Sequence, residues 1–301
     1  MIEVWGVSFQ NPVVLASGTA GFGRELAGTI DLDQLGGLVT KAVSPEPRRG
    51  NPPPRVAEFR GGMLNSVGLA NPGLDAVARH ELPWLGDHLQ RARILVNVVG
   101  FEPDDYRRVV DRLSSFDVIT AFELNVSCPN TKRGGEEFGA NADVLANLVT
   151  VCKASTDKPV IVKLAPTLPD VAATAETAVG AGADGVTAVN TIPGLLFESD
   201  GGVPRHPRLG AGSGGVSGPA LLPVGTLAVR RVRERVTCPI IGVGGVRIVD
   251  DLLQYQAAGA DLVAIGTAGM ADPRRPVRVA RQWMARVGRS ESSFGVYTGT
   301  A

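Results

Sequence analysis

Short runs of consecutive apolar residues recur along the chain, and most of them end in glycine or in a polar side chain. Apolar side chains at successive positions, without polar alternation, are typical of parallel strands that are covered on both faces. We therefore predict eight strands, at residues 13–16, 37–40, 94–97, 121–125, 160–163, 185–189, 239–243 and 262–265.

Helical patterns lie between most of these runs, at residues 104–113, 142–154, 169–181, 222–236 and 249–258. Two of these segments end in Ala-Gly-Ala-Asp before a strand, where Gly182 and Gly259 suit the left-handed cap that turns a helix back toward a sheet. Alternating strands and helices predict the α/β class and a single (β/α)8 TIM barrel spanning residues 1–301. The alternative, an open doubly wound sheet, is disfavoured because no G-x-G-x-x-G follows the first strand.

Two connections are too long for simple strand-to-helix loops. Residues 44–75 follow the second predicted strand, and residues 191–219 follow the sixth. Loops that follow barrel strands lie at the C-terminal, catalytic face, so we expect both long insertions there. The Ser/Gly-rich segment 288–301 is predicted to be a flexible tail.

Composition narrows the partners and the compartment. Lys plus Arg and Asp plus Glu both number 30, so the formal net charge is zero, and we expect no nucleic-acid partner. No apolar run reaches the roughly 20 residues of a membrane span, and no signal-peptide pattern is present, so we expect no membrane association. Cys128, Cys152 and Cys238 have no CxxC spacing, which suits a reducing compartment and predicts a cytoplasmic location. An iron–sulfur cluster usually needs four thiolates, and the chain has three cysteines. Its three histidines do not form an HExxH zinc-binding motif. We therefore predict no metal site in this chain.

Candidate chemistry follows the predicted strands, because the C-terminal ends of barrel strands converge on one face. Lys163 lies in an apolar run, and burying an ammonium without a partner is costly, so this lysine is a candidate site residue, as is Lys41. The alternative for both is a lysine that forms a salt bridge or extends its ammonium to solvent. Glycine turns follow the seventh and eighth strands, where barrels commonly bind phosphate on backbone N–H groups; plain tight turns are the alternative. The strand-end residues are Ser17, Gly18, Thr40, Lys41, Asn97, Asn125, Cys128, Lys163, Asn190, Thr191, Gly244, Gly245, Gly266 and Thr267.

A phosphate site, several amide side chains and lysines at a barrel face suit flavin mononucleotide (FMN). Asparagine offers both donors and acceptors to the edge of an isoalloxazine ring or of a pyrimidine. A lysine near the N1–C2 carbonyl of a flavin would stabilise its anionic reduced form. We therefore expect FMN as the cofactor.

Cys128 lies where the apolar run 119–124 ends. Asn125, Ser127 and Cys128 follow that run, and Pro129 stops a regular central strand. A strand that delivers such side chains at its C-terminal end indicates a site. The alternative is a buried structural cysteine beside asparagines that cap a turn.

A set of short motifs extends over residues 4–273. They resemble those of class 1 dihydroorotate dehydrogenases, and most closely those of the catalytic subunit of the NAD-linked B type. The motifs are NP at 11–12, ASG at 16–18, GNP at 50–52, PR at 54–55, MLNSVGL at 63–69, NPG at 71–73, HELPW at 80–84, NVSCPN at 125–130, GG at 134–135, FG at 138–139, VKL at 162–164, NT at 190–191, SGPA at 217–220 and GVGG at 242–245.

The resemblance implies an FMN barrel that oxidises (S)-dihydroorotate to orotate in de novo pyrimidine biosynthesis. Cys128 matches the general base that takes the C5 proton while C6 gives hydride to flavin N5. The positions that match the substrate site are Lys41, Asn65, Ser66, Val67, Gly68, Leu69, Asn125, Asn130, Asn190 and Thr191. The positions that match FMN contacts are Ser17, Lys41, Ala42, Asn97, Asn125, Lys163, Val189, Gly218, Gly244, Gly245, Gly266 and Thr267.

The resemblance also implies partners: a homodimer, or a heterotetramer in which a second subunit carrying FAD and a [2Fe–2S] cluster passes electrons to NAD. Two alternatives stay open within the enzyme class. One is an FMN oxidoreductase acting on a related cyclic imide or pyrimidine, because residues 192–196 replace the family's usual Gly-Met pair after Asn-Thr. The other is a class 1 enzyme with another electron acceptor. A further alternative is a phosphate-ligand binding barrel or non-catalytic subunit without activity.

Overall fold

Eight short parallel strands form the centre of the molecule. The structure is a computed structural model and describes residues 1–127, 138–200 and 202–293. The central strands are β1 (Val13–Leu15), β2 (Gly37–Val39), β3 (Arg93–Val98), β4 (Ile119–Asn125), β5 (Val160–Leu164), β6 (Gly185–Ala188), β7 (Ile240–Val243) and β8 (Leu262–Ile265).

These strands close into a barrel. Each pairs in parallel with the next along the chain, and β8 returns to pair with β1. The predicted TIM barrel is confirmed and the open doubly wound sheet is excluded, because an open sheet leaves two unpaired edges. Since all eight strands are parallel, their C-terminal ends meet at one mouth.

Helices cover the outside of the barrel, and the five predicted from amphipathic patterns are confirmed to within a few residues. Gly182 and Gly259 have φ angles of 105° and 108°, as a left-handed cap requires. The helices have the bounds Arg24–Ala27, Leu74–Ala76, Val77–Glu81 (a π-helix), Leu82–His88, Pro103–Leu113, Ala142–Lys153, Val171–Gly180, Leu222–Arg233, Val249–Ala258, Thr267–Ala271 and Arg275–Ser293. Short 3-10 turns lie at Leu32–Gln34, Phe138–Ala140 and Pro219–Leu221.

The last helix extends past the predicted start of the flexible tail. It runs over Arg275–Ser293, so it includes the first residues of the segment 288–301. The serine, glutamate and arginine residues there are compatible with a helix that has already been nucleated upstream. No helix within the described residues combines the length and the apolar character that crossing a membrane requires.

Apolar side chains pack on both sides of the barrel wall. The larger cluster lies between strands and helices, and includes Leu38, Val96 and Phe122. A second cluster fills the lower half of the barrel interior, where Leu95 and Ile161 project inward. The hairpin of Ile2–Val4 and Val7–Phe9 packs against this second cluster, so it closes the end of the barrel opposite the mouth.

The two long insertions meet in a second sheet that the sequence analysis did not predict. Its four antiparallel strands are ordered Ile192–Gly194, Gly214–Ser217, Gly62–Asn65 and Val56–Phe59. The insertion after β2 therefore pairs with the insertion after β6, through the register Val216 to Leu64. An exposed hairpin, Phe197–Asp200 with Val203–Pro207, extends from this sheet.

Candidate active site

A layer of polar side chains lies above the apolar layer inside the barrel. Alternate residues of a strand point to the same face, so the residue two positions after an interior apolar side chain also points inward. Asn97 follows Leu95 in this way, and Lys163 follows Ile161. The structure thus brings these two candidate residues to the interior near the mouth.

Glu123 lies at the centre of this polar layer. Its side chain is 1% exposed. Nδ2 of Asn97 donates to one carboxylate oxygen at 2.8 Å, and the hydroxyl of Thr187 donates to the other at 2.8 Å. The three residues come from β3, β4 and β6, so the bonds tie strands together across the interior of the barrel.

Two polar groups in the layer, the amide oxygen of Asn97 and the ammonium of Lys163, have no partner among the described residues. Oδ1 of Asn97 is buried and accepts no hydrogen bond from the residues that the structure describes. Lys163 is 7% exposed, and within the described part of the chain its ammonium makes neither a hydrogen bond nor an ion pair. Buried polar groups are almost always satisfied in folded proteins, so the open acceptor of Asn97, in a layer that also holds a lysine, indicates a polar ligand.

The turn after β7 presents open backbone N–H groups. Gly244 and Gly245 have φ angles of 129° and 76°, and their N–H groups donate to no described residue. A Cβ on Gly245 would lie 2.5 Å from the nitrogen of Leu222, so the turn requires glycine there. The hydroxyl of Tyr255 donates to the carbonyl oxygen of Gly244 at 2.8 Å and fixes the turn. These features fit a phosphate group.

The turn after β8 lies next to β1 and to the second sheet. Gly266 precedes the short helix Thr267–Ala271, and an added Cβ on it would lie 3.6 Å from Ala16. The hydroxyl of Thr267 donates to that of Ser217 at 2.8 Å. Gly218 follows Ser217 and lies against Gly62, so the candidate residues from the insertion and the barrel are joined here.

Asparagine side chains connect β4 with the segment after β6. Nδ2 of Asn190 donates to Oδ1 of Asn125 at 3.3 Å, and Oδ1 of Asn190 accepts from the N–H of Thr191 at 2.8 Å. Asn125 pairs in register with Lys163. Three of the predicted substrate contacts therefore lie together beside a predicted FMN contact.

The remaining candidates line the first insertion and the strand ends. Nδ2 of Asn65 donates to the carbonyl of Gly215 at 3.3 Å, and the following residues, Ser66, Val67, Gly68 and Leu69, fold against the Gly50–Asn51 turn. The hydroxyl of Ser17 donates to the carbonyl of Thr40 at 2.8 Å. Lys41 and Ala42 follow β2, and Val189 follows β6. Cys128 and Asn130 lie outside the described residues.

The sequence profile described as dihydroorotate dehydrogenase matches residues 1–286 of this chain. The chain belongs to the dihydroorotate dehydrogenase family. A protein of Listeria monocytogenes serotype 4b named "Dihydroorotate dehydrogenase B (NAD(+)), catalytic subunit" is 46% identical over 272 residues, which is 90% of this chain and 88% of that protein. A protein of the same name from Geobacillus kaustophilus is 45% identical over 272 residues, which is 90% of this chain and 85% of the relative.

A solved structure supports the fold. The dihydroorotate dehydrogenase of Eimeria tenella, described in complex with ferulenol, matches with a TM-score of 0.77 and 23% identity, over 96% of this chain and 85% of that one. At this identity the match carries the barrel architecture alone. The profile match shows the family, which is one of oxidoreductases, and the structural match supports the barrel fold.

In this dihydroorotate dehydrogenase family member, the two described cysteines are poor candidates for a reactive thiolate. Burial raises the pKa of Cys152 to about 12, although the nearby Arg107 lowers it slightly. Burial also raises the pKa of Cys238, which precedes β7 at the end of the barrel opposite the mouth. A thiol with a raised pKa is neutral near pH 7, and a neutral thiol is inert as a base.

Sequence reasoning missed several residues that support the site. Glu123 was passed over inside an apolar run, although a carboxylate in a buried strand carries the same signal that singled out Lys163. Thr187 lies in a strand and gave no signal. Tyr255 and Tyr106 are aromatic residues of amphipathic helices, and their hydroxyl contacts with Gly244 and with the carbonyl of Asn125, the latter at 2.9 Å, depend on tertiary packing.

Proposed function

We propose that this protein is the FMN-binding catalytic subunit of a dihydroorotate dehydrogenase and oxidises (S)-dihydroorotate to orotate in pyrimidine biosynthesis. The observation that carries the proposal is the polar layer at the barrel mouth. There, in a member of this family, neither the buried Oδ1 of Asn97 nor the ammonium of Lys163 has a partner within the described part of the chain.

The residues present fit FMN, and residues 1–301 would form one FMN-binding domain. The open N–H groups of Gly244 and Gly245 can donate hydrogen bonds to the phosphate, and the segment Gly266–Thr267 would complete its site. Asn97 offers an acceptor to a ring N–H, and Lys163 offers a cation that stabilises negative charge on the ring. The other residues that would hold FMN are Ser17, Lys41, Ala42, Asn125, Val189 and Gly218.

Proton removal is assigned to Cys128, on the NVSCPN motif. Sγ of its thiolate takes the C5 proton of dihydroorotate, and the C5=C6 bond of orotate forms. Bound FMN supplies the acceptor for the hydride that leaves C6. Asn125, Asn190 and Thr191, which are linked by hydrogen bonds, would hold the pyrimidine ring in place, as would the remaining substrate candidates Lys41, Asn65–Leu69 and Asn130.

The electron acceptor follows from the relatives. Two of them are named as the catalytic subunit of an NAD(+) enzyme, which implies a second subunit in their assemblies. We propose the same arrangement here: a homodimer core in a heterotetramer, with FAD and a [2Fe–2S] cluster in the partner subunit. Its site of action would be the cytoplasm.

The decisive experiment uses the visible spectrum of the purified protein. It should carry flavin absorbance, which anaerobic dihydroorotate should bleach rapidly. Protein that neither contains nor binds flavin would overturn the proposal. Co-purification from native cells, followed by size-exclusion chromatography, tests the partner subunit, and recovery of the chain without an FAD protein would argue against the heterotetramer.

A second candidate function is oxidation of another cyclic imide or pyrimidine by the same FMN barrel. The segment Ile192–Gly194 favours it, because this segment pairs into the second sheet next to Asn190 and Thr191 and departs from the family's usual sequence. Bleaching by dihydropyrimidine analogues, but not by dihydroorotate, would support this alternative. Reduction by dihydroorotate without transfer to NAD by the full assembly would instead indicate a class 1 enzyme with another acceptor.

A further inference from the structure

Glu123 occupies a buried position, where a carboxylate loses the free energy of hydration. It is 1% exposed, and the interior side chains below it are apolar. Within the described part of the chain it forms no ion pair, and the two hydrogen bonds from Asn97 and Thr187 offset part of the loss of hydration. A residue that served packing alone would be apolar here, as Ile161, its register partner on β5, is.

The bond from Glu123 determines which way the Asn97 amide faces. The carboxylate only accepts hydrogen bonds, so it selects Nδ2 of Asn97 as its neighbour. If the amide turned over, Oδ1 would face a carboxylate oxygen, and two acceptors would meet without a hydrogen between them. The bond to Glu123 therefore holds Oδ1 of Asn97 away from the carboxylate, where it is buried and accepts no hydrogen bond from a described residue.

The hydroxyl of Thr187 fixes the other side of the carboxylate. It donates to the second oxygen at 2.8 Å, so rotation of the carboxylate away from Asn97 would break this bond. Asn97 and Thr187 lie on β3 and β6, on either side of β4 and β5. The amide orientation is thus set by a rigid part of the barrel and not by a loop.

We propose that Glu123 is a positioning residue, which acts through Asn97 to present a fixed hydrogen-bond acceptor to an N–H group of the bound flavin. This inference rests on the flavin binding proposed above. It assigns a role to a buried carboxylate whose described side-chain hydrogen bonds are those with Asn97 and Thr187, and it explains why an interior position of the barrel carries a carboxyl group.

A double-mutant cycle in FMN affinity tests the inference. Glu123→Gln keeps the side-chain volume but offers Asn97 an amide that can face either way. It should weaken FMN binding to the apoprotein by at least about tenfold. In an Asn97→Ala background the same substitution should change the dissociation constant less than twofold, because the group through which Glu123 acts is gone.

Equal losses in the two backgrounds would show a merely structural role and overturn the inference. Glu123→Asp is the second variant: it keeps the charge but shortens the reach to Asn97, so it too should weaken FMN binding. Wild-type affinity in the Asp variant would likewise overturn the inference. Ile161→Val is the control, since it alters packing at the register partner without removing a hydrogen bond, and should bind FMN within twofold of wild type.

Titration of the apoprotein followed by flavin fluorescence gives these constants without any turnover. The midpoint potential of the bound flavin is a second readout, which should shift in Glu123→Gln and stay in place in Ile161→Val. Wild-type protein that fails to bind FMN would overturn the proposed function together with this inference. Wild-type binding with an unchanged Glu123→Gln variant would overturn this inference alone.

Discussion

Nδ2 of Asn190 donates to Oδ1 of Asn125 across 3.3 Å, and this bond joins the end of β4 to the segment that follows β6. Both ends of the Asn190 amide are therefore engaged, because its Oδ1 also accepts from the N–H of Thr191, while Nδ2 of Asn125 makes no hydrogen bond with a described residue. A donor held in this way on a strand end suits a carbonyl or carboxylate oxygen of a pyrimidine substrate.

Asn190→Ala should therefore impair substrate binding more than cofactor binding. Loss of the amide frees Asn125 to rotate and removes one polar contact, so we expect KM for dihydroorotate to rise roughly 10- to 100-fold, in line with about 1–3 kcal/mol for a lost buried partner. Steady-state kinetics at matched flavin content measures the effect.

Asn11→Ala provides the matched control at the other end of the barrel. The Asn11 side chain is buried and accepts from the N–H groups of Val13 and Gly36, at 3.1 Å and 3.0 Å. Its removal should lower the free energy of unfolding while leaving KM unchanged. An equal rise in KM in both variants would mean that the Asn190 effect is only loss of fold stability.

Tyr255→Phe should weaken FMN binding through the turn after β7. The hydroxyl holds the carbonyl of Gly244, so its loss lets the turn relax and misaligns the N–H groups proposed for the phosphate. We expect the FMN dissociation constant to rise about three- to tenfold and the free energy of unfolding to fall by about 1 kcal/mol. Fluorescence titration and urea denaturation measure the two effects.

Tyr106→Phe removes a hydroxyl of the same kind from the other side of the barrel. That hydroxyl donates to the carbonyl of Asn125, so a comparable loss of stability is expected, with a smaller loss of FMN affinity than in Tyr255→Phe because the phosphate turn stays intact. If both tyrosine variants lose FMN equally, the phosphate role of the Gly244 turn is wrong.

Cys128→Ala should leave FMN bound but slow anaerobic flavin reduction by dihydroorotate at least about 100-fold, the usual contribution of a general base. Cys152→Ala is the comparison. Because burial holds the pKa of Cys152 near 12, it supplies almost no thiolate at neutral pH, and its removal should leave the rate within twofold. Stopped-flow absorbance measures both, and unchanged reduction in Cys128→Ala would exclude it as the base.

The barrel could be predicted because buried parallel strands have continuous runs of apolar residues in the sequence. The strand β5, Val160–Leu164, is buried at every position, so its sequence reads as a run with one lysine. Lys163 could be identified as a candidate site residue within that run because burying a charged side chain without a partner is unfavourable. The same physical argument applies to Glu123 in β4, which is a buried carboxylate in an otherwise mostly apolar strand.

The second sheet was not predictable in the same way. Asn65 pairs with Gly215, so the partners lie far apart in the chain. The strands of this sheet have only three or four residues each, and Gly214–Ser217 begins with two glycines. Glycine and proline weaken intrinsic strand preference, and only tertiary contact between the insertions decides the pairing. The hydrogen bond from Thr267 to Ser217 depends on that pairing, so it could not be predicted from the sequence either.

Asp33→Asn should reveal a pH-dependent contribution to stability. Burial alone raises the pKa of Asp33, but backbone hydrogen bonds from Ala92, Gln90 and Arg91, helped by the charge of Arg91, outweigh it and hold the pKa below its usual value. A lowered carboxylate pKa means that the stabilisation is complete above the unfolded-state pKa and is lost as pH falls through the folded-state pKa. At pH 7 the substitution should lower the free energy of unfolding by roughly 1 kcal/mol, a modest value because the carboxylate is partly solvated.

Urea denaturation between pH 7 and pH 3 tests this prediction. The gap between wild type and Asp33→Asn should be constant near neutrality and should narrow below about pH 4, where Asp33 takes up a proton in the unfolded chain. Asp87→Asn, at an exposed position of the helix Leu82–His88, should shift stability by less than about 0.5 kcal/mol at every pH. A gap for Asp33→Asn that stays constant down to pH 3 would mean that its charge does not hold the Gln90–Ala92 backbone, the segment that leads directly into β3 and its Asn97.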